Sequence, residues 1–117
     1  MSNTVAAVVA ALIQVESAGR NISGDQGRSA GILQMKPVAV REANRIAGEP
    51  RWTDSDRWSP TKSREMATTI LRHHYQTRGV RDPVELGARW RNPYSPAPVE
   101  YKQRVRQELQ RSEGVRR

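Results

Sequence analysis

A chain of 117 residues is long enough to enclose one modest core and too short for two, so the whole of it, residues 1–117, is expected to be a single domain. Twenty Lys and Arg against twelve Asp and Glu leave a formal charge of +8, which favours polyanionic partners such as nucleic acid, acidic lipid or anionic cell wall without choosing among them. The absence of Cys excludes disulfides and thiolate metal sites and leaves the redox compartment open.

The apolar opening, residues 5–15, has no Lys or Arg before it and is too short to span a bilayer. It reads as a structural helix over residues 3–17, with Val5, Val9, Leu12 and Glu16 at helical spacing on one face and Gly19 placed to stop it. Ser29 is positioned to cap a short helix through Gln34, and Pro37 to begin another that runs to Ala47 before Gly48. Residues 48–59, with Trp52 and Trp58 in polar surroundings, show no period and read as a loop. Ser59 and Pro60 start a helix with Met66, Ala67, Ile70, Leu71 and His74 on one side, ending near Gly79. Asp82 and Pro83 repeat the device for a shorter helix through Trp90. After turn-rich residues 92–98, Tyr101, Val105 and Leu109 mark the inner stripe of a last helix, and residues 111–117 read as a polar, fraying tail. Strand-like alternation is absent. The fold class is therefore all-α.

One carboxylate stands out because it closes an apolar stripe. Glu16 shares a face with Leu12, Val9 and Val5, so it should lean on the core at the margin of a groove. Burial and the partial negative charge of a helix C-terminus both disfavour its ionised form and raise its pKa. A carboxylic acid that stays protonated near neutrality can donate to the leaving oxygen of a glycosidic bond.

Glu16-Ser17-Ala18-Gly19 is followed by Ser29-Ala30-Gly31-Ile32-Leu33-Gln34-Met35-Lys36-Pro37. In order, spacing and residue type this resembles the two leading motifs of the lytic-transglycosylase and goose-type lysozyme superfamily. The resemblance implies a compact lysozyme-like helical domain of about five to seven helices with a substrate cleft. It implies cleavage of peptidoglycan between N-acetylmuramic acid and N-acetylglucosamine, with Glu16 the sole catalytic acid and base and Gln34 a sugar ligand. Ser17, Ser29 and Gly31 belong to the same substrate-binding motifs. Gly31 would let backbone approach ligand closely, and Gln34 offers both donor and acceptor. A third family element, an aromatic-Asn pair preceded by Ala and followed by a Tyr in the last helix, has its counterparts in Ala88, Trp90 and Tyr101. Here Arg91 stands where the family usually has Asn, Asn92 comes one place late, Trp90 replaces the more usual Tyr, and Lys36 replaces a frequent Met. The resemblance spans Leu12 to Val105.

The implied scheme uses one carboxylate and no protein nucleophile, closes a 1,6-anhydro ring on the muramoyl product, and needs no metal or organic cofactor. A lysozyme-like hydrolase would instead require a second acid, for which Asp25 and Asp54 are the candidates and Asp56 a further loop acid. An inactive wall-binding or virion module is the reading from another class. Adjacent His73 and His74 point about 100° apart on a helix and do not readily share a metal, and Trp52 and Trp58 are expected to anchor their loop to the core. The Arg residues are scattered over every segment with no recognition helix, so peptidoglycan strands, not nucleic acid, are the expected partner of a monomer that does not insert into membrane. Action at the cell wall, in the periplasm or outside, without a signal peptide would need a phage particle, a pore partner or a larger parent protein as the route out.

Overall fold

The computed structural model describes residues 2–116, and side chains from residue 3 to residue 113. Five α-helices carry the fold: α1 (Ser2–Ser17), α2 (Pro37–Ala47), α3 (Pro60–Gln76), α4 (Pro83–Arg91) and α5 (Val99–Arg116). Helix α5 continues through the segment read as a polar tail, and Arg117 lies outside the described residues.

The starts of α2, α3 and α4 follow one chemical rule. Each has proline in its first turn, where the missing N–H would have no helical partner, and α3 and α4 add a capping side chain. Ser59 accepts from the Lys62 amide and Asp82 from the Glu85 amide. Gly48, at φ 78°, ends α2 in the left-handed conformation that costs glycine nothing.

Helix α1 is the central element, packed against α3, α4 and α5. Its apolar residues Val5, Val8 and Leu12 meet Leu33, Met66, Leu71, Leu86 and Val105 in one buried core, at roughly 1.5–3 kcal/mol per fully buried large side chain. Gly87 sets how closely α4 seats, because a Cβ there would lie 2.7 Å from Val105 Cγ1 and 3.5 Å from Val8 Cγ1. None of the described helices is long and apolar enough to cross a membrane.

Between α1 and α2 the structure departs from expectation. Residues 29–34 do not form a short helix capped by Ser29. Ser29 and Ala30 form strand β2, antiparallel to β1 (Ser23–Gly24), around a turn in which Asp25, Gln26 and Gly27 all have positive φ. Two-residue strands are too short to show alternation in sequence. A helix is blocked because Gly31 (φ 82°) and Gln34 (φ 49°) are both left-handed, and the backbone pairs with itself as a turn, Ala30 with Met35 in both directions at 3.0 Å. The loop of residues 48–59 contains a 3-10 segment, Asp54–Trp58, with the Thr53 amide donating to the Asp56 carboxylate at 2.9 Å. Trp52 anchors this loop as expected, buried and donating to Glu65 at 3.3 Å. Trp58 does not bury its side chain in this way: the residue is 41% exposed, and its carbonyl accepts from Asn21.

Candidate active site

Glu16 occupies the last turn of α1 and is half-buried at the edge of a cleft of about 770 Å³. The buried Tyr101, in the first turn of α5, donates a hydrogen bond of 2.6 Å to Glu16 Oε2. Burial raises the Glu16 pKa, and it outweighs the Tyr101 hydrogen bond and the positive charges of Arg104, Arg91 and Lys36, all of which act to lower it. The Tyr101 phenol is itself pushed well above its ordinary value by burial and by the neighbouring carboxylate, so it stays protonated and keeps donating. Together these groups hold a carboxyl that can exchange a proton with a bound molecule in a partly dehydrated setting.

The second wall is the turn after β2. Gln34 lines the cleft, with its side-chain amide donating to the carbonyls of Ile22 (2.8 Å) and Gly31 (2.9 Å). Its Oε1 packs against Gly24, where a Cβ would come within 2.0 Å. Ser29 also lines the cleft, buried in β2. Trp90 lines it from α4, and its indole N–H donates to the Leu33 carbonyl at 3.1 Å, tying α4 to the Gln34 turn.

Two residues of the expected site are placed differently. Ser17 is buried behind Glu16, where its hydroxyl donates to the Ile32 carbonyl (2.7 Å) and accepts from the Gly19 amide (3.1 Å). It fastens the end of α1 to the turn that carries Gln34. At Gly31 the backbone closely approaches another part of the protein, since a Cβ would meet the Arg57 carbonyl oxygen at 2.0 Å. Arg57 in turn donates to the carbonyls of Arg28 and Met35, at 3.1 and 3.0 Å, so the 3-10 segment braces the wall from outside.

Of the three loop acids, Asp25 alone lines the cleft, ion-paired with Lys36 (3.1 Å) and Arg28 (3.7 Å). Its pKa is lowered, chiefly by the hydrogen bond from Lys36. Sequence reading missed a further carboxylate. Glu42, on α2, lines the cleft and takes two 2.8 Å bonds from Arg45 and one of 3.1 Å from Tyr94, which push its pKa down to about 2. The Glu42 and Arg45 spacing announced a helical pair, but nothing in the sequence links Glu42 to Tyr94. At the same end of the cleft His74 is buried with Nδ1 unpartnered, and burial, its largest influence, lowers its pKa to about 4. The rings of His73 and His74 sit edge to face, 6.0 Å apart.

A family model, the Transglycosylase SLT domain, matches residues 1–88. The chain belongs to the transglycosylase SLT domain family. That membership supports peptidoglycan lytic transglycosylase activity in general, with cell-wall peptidoglycan as the substrate acted on. No curated protein and no solved structure matches the chain. The SLT match contains Glu16 and Gln34 and stops before Trp90 and Tyr101. In this SLT domain the residues that complete the cleft around Glu16 therefore come from a segment beyond the match, and the all-α fold brings them there.

Proposed function

We propose that the chain cleaves the β-1,4 bond between N-acetylmuramic acid and N-acetylglucosamine in peptidoglycan without consuming water, with Glu16 as acid and then base. The observation that carries this reading is a half-buried carboxyl of raised pKa, hydrogen-bonded by Tyr101 at 2.6 Å, at the edge of a cleft of saccharide size.

In the first step Glu16 protonates the glycosidic oxygen as its bond to the muramoyl C1 breaks, and the acetamido group of that ring supports the positive charge at C1. Glu16 is then a carboxylate. It takes the proton of the C6 hydroxyl as that oxygen bonds to C1, which closes the 1,6-anhydro ring and returns Glu16 to its acid form. Tyr101 occupies one carboxyl oxygen and stabilises the charged state between the two steps. The other oxygen is the one available to the substrate.

Hydrolysis by a second carboxylate is less well supported. Water activation requires a base whose pKa lies near the working pH. Asp25 and Glu42 line the cleft, but both are held in ion pairs with lowered pKa values, which makes them weak bases. Asp54 does not line the cleft.

Digestion of purified sacculi followed by mass spectrometry tests the reading. The expected muropeptides are lighter by one water than hydrolytic ones, and Glu16→Gln should lower the rate by about 10² to 10⁴. Products that contain the added water would establish a muramidase. Intact sacculi with the wild-type chain would leave a wall-binding module.

A further inference from the structure

Arg91 and Arg104 line the same cleft as Glu16 and reach it from different elements, the last turn of α4 and the second turn of α5. Unlike the other basic side chains that meet acids here, neither is in an ion pair among the described residues. Lys36 is paired with Asp25 and Lys102 with Glu85. Each guanidinium has five N–H donors in a planar fork, and the fold uses few of them. Arg104 donates through Nη2 to the Val15 carbonyl, and Arg91 donates through Nη1 to Asn92 Oδ1 at 3.4 Å. Arg91 also lies over the Tyr101 ring, 5.9 Å from its centroid, which orients the fork. Two cations are thus pinned beside the proton-transfer site with most of their donors unspent, in a chain that already carries +8.

Where the lactyl carboxyl of each muramoyl ring is taken up in the amide bond to a peptide, the N-acetylated sugar rings are neutral and offer these cations nothing. On peptidoglycan the negative charge nearest the scissile bond belongs to the peptide that hangs from the lactyl arm of the muramoyl ring. We propose that Arg91 and Arg104 form a carboxylate-binding wall that takes the free carboxylates of that stem peptide, so that strands bearing unamidated peptides are the preferred substrate. This rests on the peptidoglycan reading above and specifies which peptidoglycan. Planar, bidentate recognition of a carboxylate is what a guanidinium does better than an ammonium.

Equilibrium binding to the Glu16→Gln chain tests it without turnover. The probes are soluble disaccharide-peptide fragments with free stem carboxylates, the same fragments with those carboxylates amidated, and a neutral oligomer of N-acetylglucosamine. Fragments with free carboxylates should bind about three- to tenfold tighter than amidated ones, the range for a partly exposed charge-assisted contact. That advantage should shrink with added salt, collapse in Arg91→Gln/Arg104→Gln, and return in part in Arg91→Lys/Arg104→Lys. Equal binding of free and amidated fragments would overturn the proposal, as would a preference that survives in the double Gln variant or is insensitive to salt. Because no cleavage is read, a wild-type chain that fails to cut sacculi would count against the proposed reaction and leave this ratio measurable. Absence of binding by the free-carboxylate fragments overturns the proposal however the cleavage assay reads. If the arginines acted only on the group at position 16, replacing both by Gln would leave the ratio of free to amidated binding unchanged. That outcome also overturns it.

Discussion

The Tyr101 hydroxyl and the Glu16 carboxylate, 85 positions apart in sequence, meet at 2.6 Å where the end of α1 crosses the start of α5. This bond stabilises the ionised form of an acid that burial pushes the other way. Its loss in Tyr101→Phe should therefore raise the Glu16 pKa further. Since the first step uses protonated Glu16, the alkaline limb of the pH-rate profile should move to higher pH. The maximal rate should fall by about tenfold or more, as expected when a hydrogen bond to a charged group is removed. A pH series on sacculi for wild type and variant is the check, and an unmoved alkaline limb would deny Tyr101 its influence on Glu16.

The raised pKa of Glu16 has a consequence for folding. An acid whose folded pKa lies above its unfolded value holds its proton in the native state after the unfolded chain has released it. Its cost to stability appears as pH rises through 4.5, the ordinary value, and is complete above the raised folded pKa. Glu16→Gln should accordingly raise the melting temperature at neutral pH, with the gain disappearing below the ordinary carboxylate range. Thermal melts at pH 7 and pH 3.5 decide the matter.

His74 works in the opposite direction. Its pKa falls to about 4 in the fold from an ordinary 6.5, so the native state resists a proton that the unfolded chain accepts. Stability on this account is lost as pH falls from 6.5 towards 4. Replacement by Leu removes both the titration and the unpartnered Nδ1, and should stabilise the chain at pH 5 by about 1 kcal/mol, as expected when an unsatisfied buried polar atom is removed. Denaturant titrations at pH 5 and pH 7.5 should show the gain at pH 5 exceeding that at pH 7.5.

Gly31 and Gly48 make a matched pair for testing the brace on the cleft wall. Both have φ near 80°, but a Cβ at Gly48 meets nothing within 4 Å, whereas one at Gly31 meets the Arg57 carbonyl at 2.0 Å. Gly48→Ala should cost about 1 kcal/mol for the left-handed backbone alone. Gly31→Ala should cost roughly 2–4 kcal/mol by adding a clash with backbone, and should depress cleavage because the same turn carries Gln34. Urea titrations compare the two, and equal losses would show that the Arg57 contact yields freely.

The Glu42 and Arg45 pair gives the acid-side counterpart. Glu42 is held at about 2, so its stabilising contribution is present above 4.5 and fades as pH falls towards 2. Because Arg45 is more than half exposed, Glu42→Gln should cost only about 1 kcal/mol at pH 7. The urea midpoints of wild type and variant should converge as pH falls through 2.

Much of this molecule follows from short-range pattern. The apolar stripe of Val5, Val9, Leu12 and Glu16 sets α1, and the Pro starts set α2, α3 and α4, because helical hydrogen bonds and caps join residues within one turn. The placement of Glu16 at the edge of the core came from the same periodicity, and the motifs around it pointed to the family. Other features needed the folded chain. The turn after β2 replaced the expected short helix because Gly31 had to pass the Arg57 carbonyl and Gln34 had to reach Ile22, contacts that no local spacing encodes. Tyr94 reaches Glu42 across 52 positions, and Trp90 reaches Leu33 across 57. Which polar groups face the cleft, and whether each is paired, is a property of how five helices pack. Local propensity acts along a few residues of chain, whereas the charge, burial and hydrogen bonding of a site depend on what comes near it in space.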